Sequence, residues 1–453
     1  MEKYHFIGIG GDGMSALAKV FWQQRRLLQG SNIESNGRTA ELSRLGVPVA
    51  VGHAPGHLND ASTVVYSSAI PQDNVEMREA RRRGLQIHHR QQALAQLANA
   101  QRTLGVAGTH GKTTTAVMVA TLLKEAGRDP SYLLGAGCAN LRGHAHWGQS
   151  GLLVLEVDES DGRFLGLYPE LAVVTNIGLD HLNHYRDQKE IFESFKQYVA
   201  QSRQAVLCLD DAQCRLLHEA FPRALTYGTS SPADLVAEQV VQEDFKTRFS
   251  LRFRGRYLGE VHLPLPGMHN VHNAMAALLA GWHMGLDFET MMPLVARFQL
   301  PERRFEVLAK NGIMIVDDYA HLPEQIEVNL RAIRSNWKQG RIIALFQPHR
   351  FSRVQYLGER FGPAFAEADL VGVTDIYPAF ESPLPGVGPQ PIVAAVAMHA
   401  PQVRYLPRHE DVSDFLKQVV RPGDFVIGFG AGDLWRCLQR FAAPLPCRLK
   451  PAS

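Results

Sequence analysis

The chain has 453 residues, 45% of them hydrophobic and 20% charged, with a formal net charge of +2. This is an ordinary globular composition, long enough for about two to four domains, and its near-balanced charge gives no pull toward nucleic acid or an anionic membrane. Five cysteines, at 138, 208, 214, 437 and 447, form no CxxC pair, and no apolar run reaches the length of a membrane span or signal peptide; neither a disulfide framework nor a zinc site is expected, and a reducing cytoplasm is.

Apolar runs alternate with helical patterns along almost the whole chain, which predicts parallel α/β construction. The first strand is YHFIGIG (4–10), followed by a helix from about Met14 to Leu28, and VVYSSAI (64–70) is a further strand. The basic run at 81–83 reads as a solvated helix face, and this block closes near Ala100. A second block opens with TLGVAG (103–108), then a helix over 112–126 with Gly127 beyond its end. LLVLEV (152–157), LAVVTNI (171–177) and AVLCL (205–209) read as buried strands. From about 225 to 265 the period changes, and TRFSLRFRGRYLGEVHL alternates as antiparallel strands do. A buried helix follows Pro266-Gly267. The third block starts near Pro301 and carries strands at 312–318, 341–347, 370–376 and 425–430.

Two glycine-rich stretches carry chemistry. Gly8, Gly10 and Gly13 make a G-x-G-x-x-G turn directly after a strand, as in a dinucleotide site. The acid such a site needs about 20 residues on is missing: Asn32 stands near that place, with Glu34 just beyond. The second stretch, G-T-H-G-K-T-T-T over 108–115, lies between an apolar strand and a helix. Gly108 and Gly111 allow a tight turn whose successive N–H groups can face phosphate oxygens, with Thr109 and Thr114 among the residues expected to bind the nucleotide. Lys112 can reach the terminal phosphates, and Thr113 can offer its hydroxyl to Mg2+. Glu156 ends a strand where α/β sheets present ligands, and the acids of EVDESD make a cation site there the better reading than a surface ion pair. His269 and Asn273 share one helix face.

GTHGKTTT resembles the ATP loop of the Mur ligases, which build the peptidoglycan peptide. HFIGIGGDGMS, SSAI, EVDESDGRF, TNIGLDH, PGMHNVHNA, RRFE, DDYAHLP and FQPHRFSR follow in that family's order across nearly the whole chain, and DESDGxF with QPHRxSR is similar to the alanine-adding branch. The resemblance implies three domains: a Rossmann-like UDP-sugar domain (1–100), a central P-loop ATPase-like domain with a mostly parallel sheet and a small antiparallel part (101–299), and a Rossmann-like C-terminal domain (300–453) that closes over substrates. It implies an ATP-dependent ligase joining L-alanine to the lactyl carboxylate of UDP-N-acetylmuramate through an acyl phosphate. Thr113 and Glu156 would hold one Mg2+ and His181 a second metal. Asn176, His269, Asn273, Arg303, Arg304 and Asp318 would meet ATP, while Gly10, Gly11, Ser15, His53, Ser67 and Ser68 would meet the UDP-sugar. Tyr319, His321, Arg350 and Arg353 would form the alanine pocket. The partners expected are these small molecules, with no nucleic acid and no membrane, for a monomer or weak homodimer. Three positions depart from the family pattern: Asp12 replaces an apolar residue beside the pyrophosphate, Asn32 a common aspartate, and Leu322 a second histidine. The alternatives are a related ligase that recycles a muropeptide, a non-catalytic nucleotide-binding paralogue, and an NAD(P)-dependent oxidoreductase resting on residues 8–13.

Overall fold

The computed structural model describes residues 2–160, 162–179, 184–230, 232–379 and 381–443. They fall into two compact units: Met1–Val240 with Phe249–His262 and His269–Gln299, and Val241–Arg248 with Leu263–Met268 and Leu300–Ser453.

The first unit opens with five strands, β1 (Lys3–Ile7), β2 (Leu27–Asn32), β3 (Val49–Val51), β4 (Thr63–Tyr66) and β5 (Gln86–His89), in the order β3-β2-β1-β4-β5. All four pairings are parallel, the Rossmann-like arrangement expected. Phe6, Ile7, Val64 and Val65 are fully buried, because helices cover both faces of a parallel sheet. The helices here are α1 (Asp12–Gln23), α2 (Gly37–Arg44), α3 (Val75–Arg82) and α4 (Arg90–Asn99). The helix expected to reach Leu28 stops at Gln23: Arg25 takes a left-handed φ of 60°, and the chain turns into β2. That strand escaped the sequence pattern because its buried side chains include Gln29, Ser31 and Asn32.

Ten strands make the next sheet: β6 (Arg102–Ala107), β7 (Ser131–Leu133), β8 (Ala145–His146), β9 (Leu152–Glu156), β10 (Leu171–Val174), β11 (Gln204–Cys208), β12 (Leu225–Gly228), β13 (Leu235–Glu243), β14 (Lys246–Phe253) and β15 (Arg256–Leu263). Their order is β15-β14-β13-β12-β11-β10-β6-β9-β7-β8. β6 lies between β9 and β10, parallel to both, so three carboxyl ends meet at one point. The chain leaves β6 into α5 (Lys112–Glu125), buried from Thr113 through Leu123. The antiparallel part is a three-strand meander: the two-residue links Asp244-Phe245 and Arg254-Gly255 all take positive φ, the geometry of tight hairpin turns. β13 adds a strand that the sequence pattern did not separate.

The second unit holds β16 (Glu306–Lys310), β17 (Met314–Asp318), β18 (Ile342–Phe346), β19 (Leu370–Val373), β20 (Val403–Tyr405) and β21 (Phe425–Phe429), ordered β16-β17-β21-β18-β19-β20. β16 pairs antiparallel with β17, and the other pairs are parallel. No helix among the described residues is long and apolar enough to cross a membrane.

Candidate active site

The loop after β6 is built for close approach. Gly108 (φ 130°) and Gly111 (φ 81°) take conformations that disfavour a side chain. A Cβ at Gly108 would strike Thr175 and the Asn176 backbone, and one at Gly111 would strike the Asn273 side-chain carbonyl. The residues after β10 brace the loop from beside it. Asn176 Oδ1 accepts from His110 N–H at 2.9 Å, its Nδ2 donates to the His110 carbonyl at 3.0 Å, and its own carbonyl accepts from Thr109 N–H at 3.0 Å. Thr175 Oγ1 donates to the same His110 carbonyl at 2.6 Å. Asn176 therefore holds the shape of the loop, and its amide is committed to the backbone.

Lys112 turns back over the loop, donating to the Gly108 carbonyl at 2.5 Å and to Glu159 at 2.7 Å. Burial alone would lower its pKa, but Glu159 outweighs that and raises it, so the ammonium is charged. Thr113 Oγ1 donates to Glu156 Oε1 at 2.8 Å, and Gly135 N–H donates to Glu156 Oε2 at 2.7 Å. A Cβ at Gly135 would overlap that carboxylate. A hydroxyl and a carboxylate side by side are hard oxygen donors and suit Mg2+, which is usually held by one or two carboxylates plus substrate phosphates. Among the described residues no cluster of three His, Cys, Asp or Glu side chains stands ready for a metal. His181 lies outside the described residues. Thr109 and Thr114 are buried in the loop and the first turn of α5.

On the helix Met268–His283, Asn273 Oδ1 accepts from Thr115 at 3.2 Å, which ties this helix to α5. His269 Nδ1 is shut off from solvent with no hydrogen-bond partner. Burial, with His272 and His110 nearby, pushes its pKa down to about 4, leaving a neutral ring. An orphaned ring nitrogen of this kind suits a neutral heterocycle such as adenine.

The glycine turn after β1 is held by the end of β2. The Ser31 carbonyl accepts from Gly8 N–H at 2.8 Å and Ile9 N–H at 3.0 Å, and Asn32 Oδ1 accepts from Gly10 N–H at 3.0 Å. Gly10 is buried and Gly11 exposed, while Ser15 is buried and donates to the Asp12 carbonyl at 3.0 Å. Asp12 itself points out: its side chain is 80% exposed and pairs with Arg38 at 2.5 Å, so its carboxylate is not buried beside the turn. Half-buried Ser67 and exposed Ser68 follow β4, and Ser68 meets His89 at 3.0 Å. His53 Nδ1 lies 3.0 Å from Ser31 Oγ, inside a buried network around Glu76.

In the second unit the ends of β17, β18 and β21 lie side by side. Arg303 (φ 60°) pairs with Asp317 at 3.1 Å and donates to the Gly430 carbonyl at 2.5 Å. Burial pushes the Asp317 pKa up to about 6 against the pull of Arg303. Arg304 lies over the Tyr319 ring at 4.6 Å. Both oxygens of buried Asp318 are engaged, by Phe305 N–H at 2.7 Å, Ala320 N–H at 2.8 Å and Asn329 at 3.0 Å. Its first duty is thus to shape the 303–320 junction.

The His321 and His349 rings are 5.8 Å apart, and His349 stacks on Tyr377. Arg353 donates to His349 Nδ1 at 3.1 Å. Arg350 takes a φ of 69°, and its Nε is buried without a hydrogen-bond partner. A guanidinium N–H left waiting in this way fits a carboxylate. Leu322 is buried in the apolar core, so the missing second histidine is replaced by packing. Gln347 receives Asp433 N–H and Leu434 N–H and closes the glycine-rich turn after β21.

Sequence reasoning missed Glu159, Thr175, Asp317, Gln347 and Glu76. Glu159 carried a signal, since it lies in the acidic run DESD; Glu76, one acid in a polar helix, carried none.

Three family models match in succession: "Mur ligase family, catalytic domain" over residues 3–102, "Mur ligase middle domain" over 106–281, and "Mur ligase, glutamate ligase domain" over 303–432. A curated UDP-N-acetylmuramate–L-alanine ligase of Pelotomaculum thermopropionicum is 42% identical over 438 residues, 95% of each chain. Its counterpart from Trichlorobacter lovleyi is 41% identical over 446 residues, 96% of this chain and 97% of the relative. The crystal structure of the UDP-N-acetylmuramate–alanine ligase of Thermotoga maritima matches with a TM-score of 0.84 at 27% identity, covering 98% of this chain and 99% of that one. A murein peptide ligase of Psychrobacter arcticus shares the fold at a TM-score of 0.72 and 21% identity, with 98% of each chain covered. With relatives this similar along almost their entire length, the chain belongs to the Mur ligase family.

Proposed function

We propose that this chain is an ATP-dependent ligase that joins L-alanine to the lactyl carboxylate of UDP-N-acetylmuramate in peptidoglycan precursor synthesis. The observation that carries the reading is identity above 40% with curated ligases of that specificity over at least 95% of both chains. The loop after β6 supports it, because its lysine, hydroxyl and carboxylate suit a triphosphate with a divalent cation.

In this reading a carboxylate oxygen of the sugar attacks the γ-phosphorus and ADP leaves. The alanine amine then attacks the acyl carbon, phosphate leaves, and the amine proton passes to solvent or a nearby base. Lys112, with the loop N–H groups, balances charge on the transferring group. Thr113 and Glu156 would hold Mg2+, which when bound screens the phosphate charges; His181 would hold a second ion. Arg304 and Arg303 would meet the phosphates, His269 and Asn273 the adenine, and Asp318 the ribose. Gly10, Gly11, Ser15, His53, Ser67 and Ser68 line the UDP-sugar side. Tyr319, His321, Arg350 and Arg353 receive the amino acid, with the orphaned Arg350 Nε as anchor. The labour divides over 1–100, 101–299 and 300–453. The four described cysteines are buried and form no disulfide with one another, which suits a reducing cytoplasm.

The test is phosphate release with ATP, Mg2+ and UDP-N-acetylmuramate, scanned over glycine, L-serine, L-alanine and a muropeptide. The proposal expects turnover with L-alanine and none with Lys112→Ala. Turnover with the muropeptide alone would replace it by a recycling ligase, and background release with every acceptor by a non-catalytic paralogue.

A further inference from the structure

Glu76, in the first turn of α3, is fully buried, and the reaction described above assigns it no part. A buried carboxylate without partners would cost several kcal/mol. Here it collects four hydrogen bonds from three elements. Oε2 accepts from His5 Nε2 at 3.1 Å and Ser31 Oγ at 2.6 Å; Oε1 accepts from Ala54 N–H at 3.1 Å and His57 Nδ1 at 3.0 Å. Burial works to raise its pKa, yet the His5 and Ser31 hydrogen bonds prevail and hold it at about 2.

The proton count fixes the direction of each bond. An ionised carboxylate only accepts, so Ser31 gives Glu76 its one hydroxyl proton. His53 Nδ1, 3.0 Å from Ser31 Oγ, must then be the donor in that pair. With Nδ1 donating, Nε2 is the ring nitrogen left to meet a ligand. Gln29 Nε2 in turn donates to His5 Nδ1 at 3.3 Å and to the His57 carbonyl at 2.8 Å. The end of β2 is thereby tied to β1 and to the loop after β3. The Ser31 carbonyl is what receives Gly8 N–H and Ile9 N–H.

The geometry points to Glu76 as a positioning residue for the UDP-sugar: through Ser31 it sets the glycine turn, and through Ser31 and Ala54 it sets the place and tautomer of His53. The inference rests on the ligase reading above. An amide at this position would face its NH2 toward two donors, freeing either the Ser31–His5 pair or the Ala54–His57 pair.

The experiment is steady-state kinetics of Glu76→Gln and Ser31→Ala in the full chain, with calorimetric binding of UDP-N-acetylmuramate. The expected result is a KM and Kd for the UDP-sugar raised at least tenfold in Glu76→Gln and severalfold in Ser31→Ala. The kcat and the KM values for ATP and L-alanine should stay within about twofold. UDP-sugar KM and Kd unchanged in a folded variant, with only a lowered Tm, would overturn the inference. If Glu76→Gln fails to fold, Ser31→Ala decides by the same criterion. Inactive wild type would instead sink the ligase reading, which separates the two failures.

Discussion

Replacing Gly111 by alanine tests whether the loop after β6 grips a triphosphate. The residue sits at φ 81°, and its missing Cβ is the room that the Asn273 side-chain carbonyl occupies. A left-handed conformation costs a residue with a Cβ about 1–2 kcal/mol. Displacing Asn273 also removes its 3.2 Å hydrogen bond from Thr115, worth about 1 kcal/mol. The unliganded loop can relieve this strain by moving, but bound nucleotide would force it back, so the cost appears in affinity. The sum, about 2–3 kcal/mol, corresponds to a roughly 30- to 150-fold weaker Kd. Calorimetric titration with a non-hydrolysable ATP analogue and Mg2+ reads it directly. Gly127→Ala is the control: that glycine has φ 77° with open space around it, so it bears the conformational cost alone, at the far end of α5. If Gly111→Ala bound the analogue as tightly as Gly127→Ala, the loop would not be a phosphate cradle.

Further outcomes follow from other parts of the chain. Arg350→Lys should raise the KM for the amino acid about tenfold or more with the KM for ATP unchanged, because a point charge replaces a planar fork; an unaltered KM would remove Arg350 from the pocket. Glu76 has a folded pKa of about 2, below its ordinary value of 4.5. It therefore stabilises the fold above pH 4.5, and that stability is lost as pH falls toward 2. The contribution is about 3 kcal/mol, and urea unfolding between pH 5 and pH 3 should be less pH-dependent in Glu76→Gln than in wild type. Asp12→Ala should leave Tm nearly unchanged, since an exposed ion pair contributes at most about 1 kcal/mol; a large loss would mean that Asp12 does more than pair with Arg38.

What could be read from sequence depended on how narrowly each feature constrains residue type. The loop 108–115 was legible because positive φ and close approach demand glycine and the charge demands lysine. Glu156 was legible from its place at a strand end. β2 was not, because its buried face is polar and satisfied by hydrogen bonds, so hydropathy ran the preceding helix through it. Asp12 departs from the family pattern in sequence, yet in space it points outward to Arg38, 26 residues on. Glu76 was invisible, since its partners His5, Ser31, Ala54 and His57 are gathered by sheet order and not by spacing. Asn176 resembled a ligand contact, and the amide turned out to be spent on the His110 backbone.

The Lys112–Glu159 pair has a consequence for how nucleotide arrives. The lysine already owns an anion, so an incoming triphosphate competes with a resident carboxylate, while Glu156 stands a few residues away with the same sign. Naked ATP would thus enter a pocket whose attraction is already spent. Affinity should climb steeply with divalent cation, and the protein should discriminate against the unchelated nucleotide far more strongly than a bare lysine would.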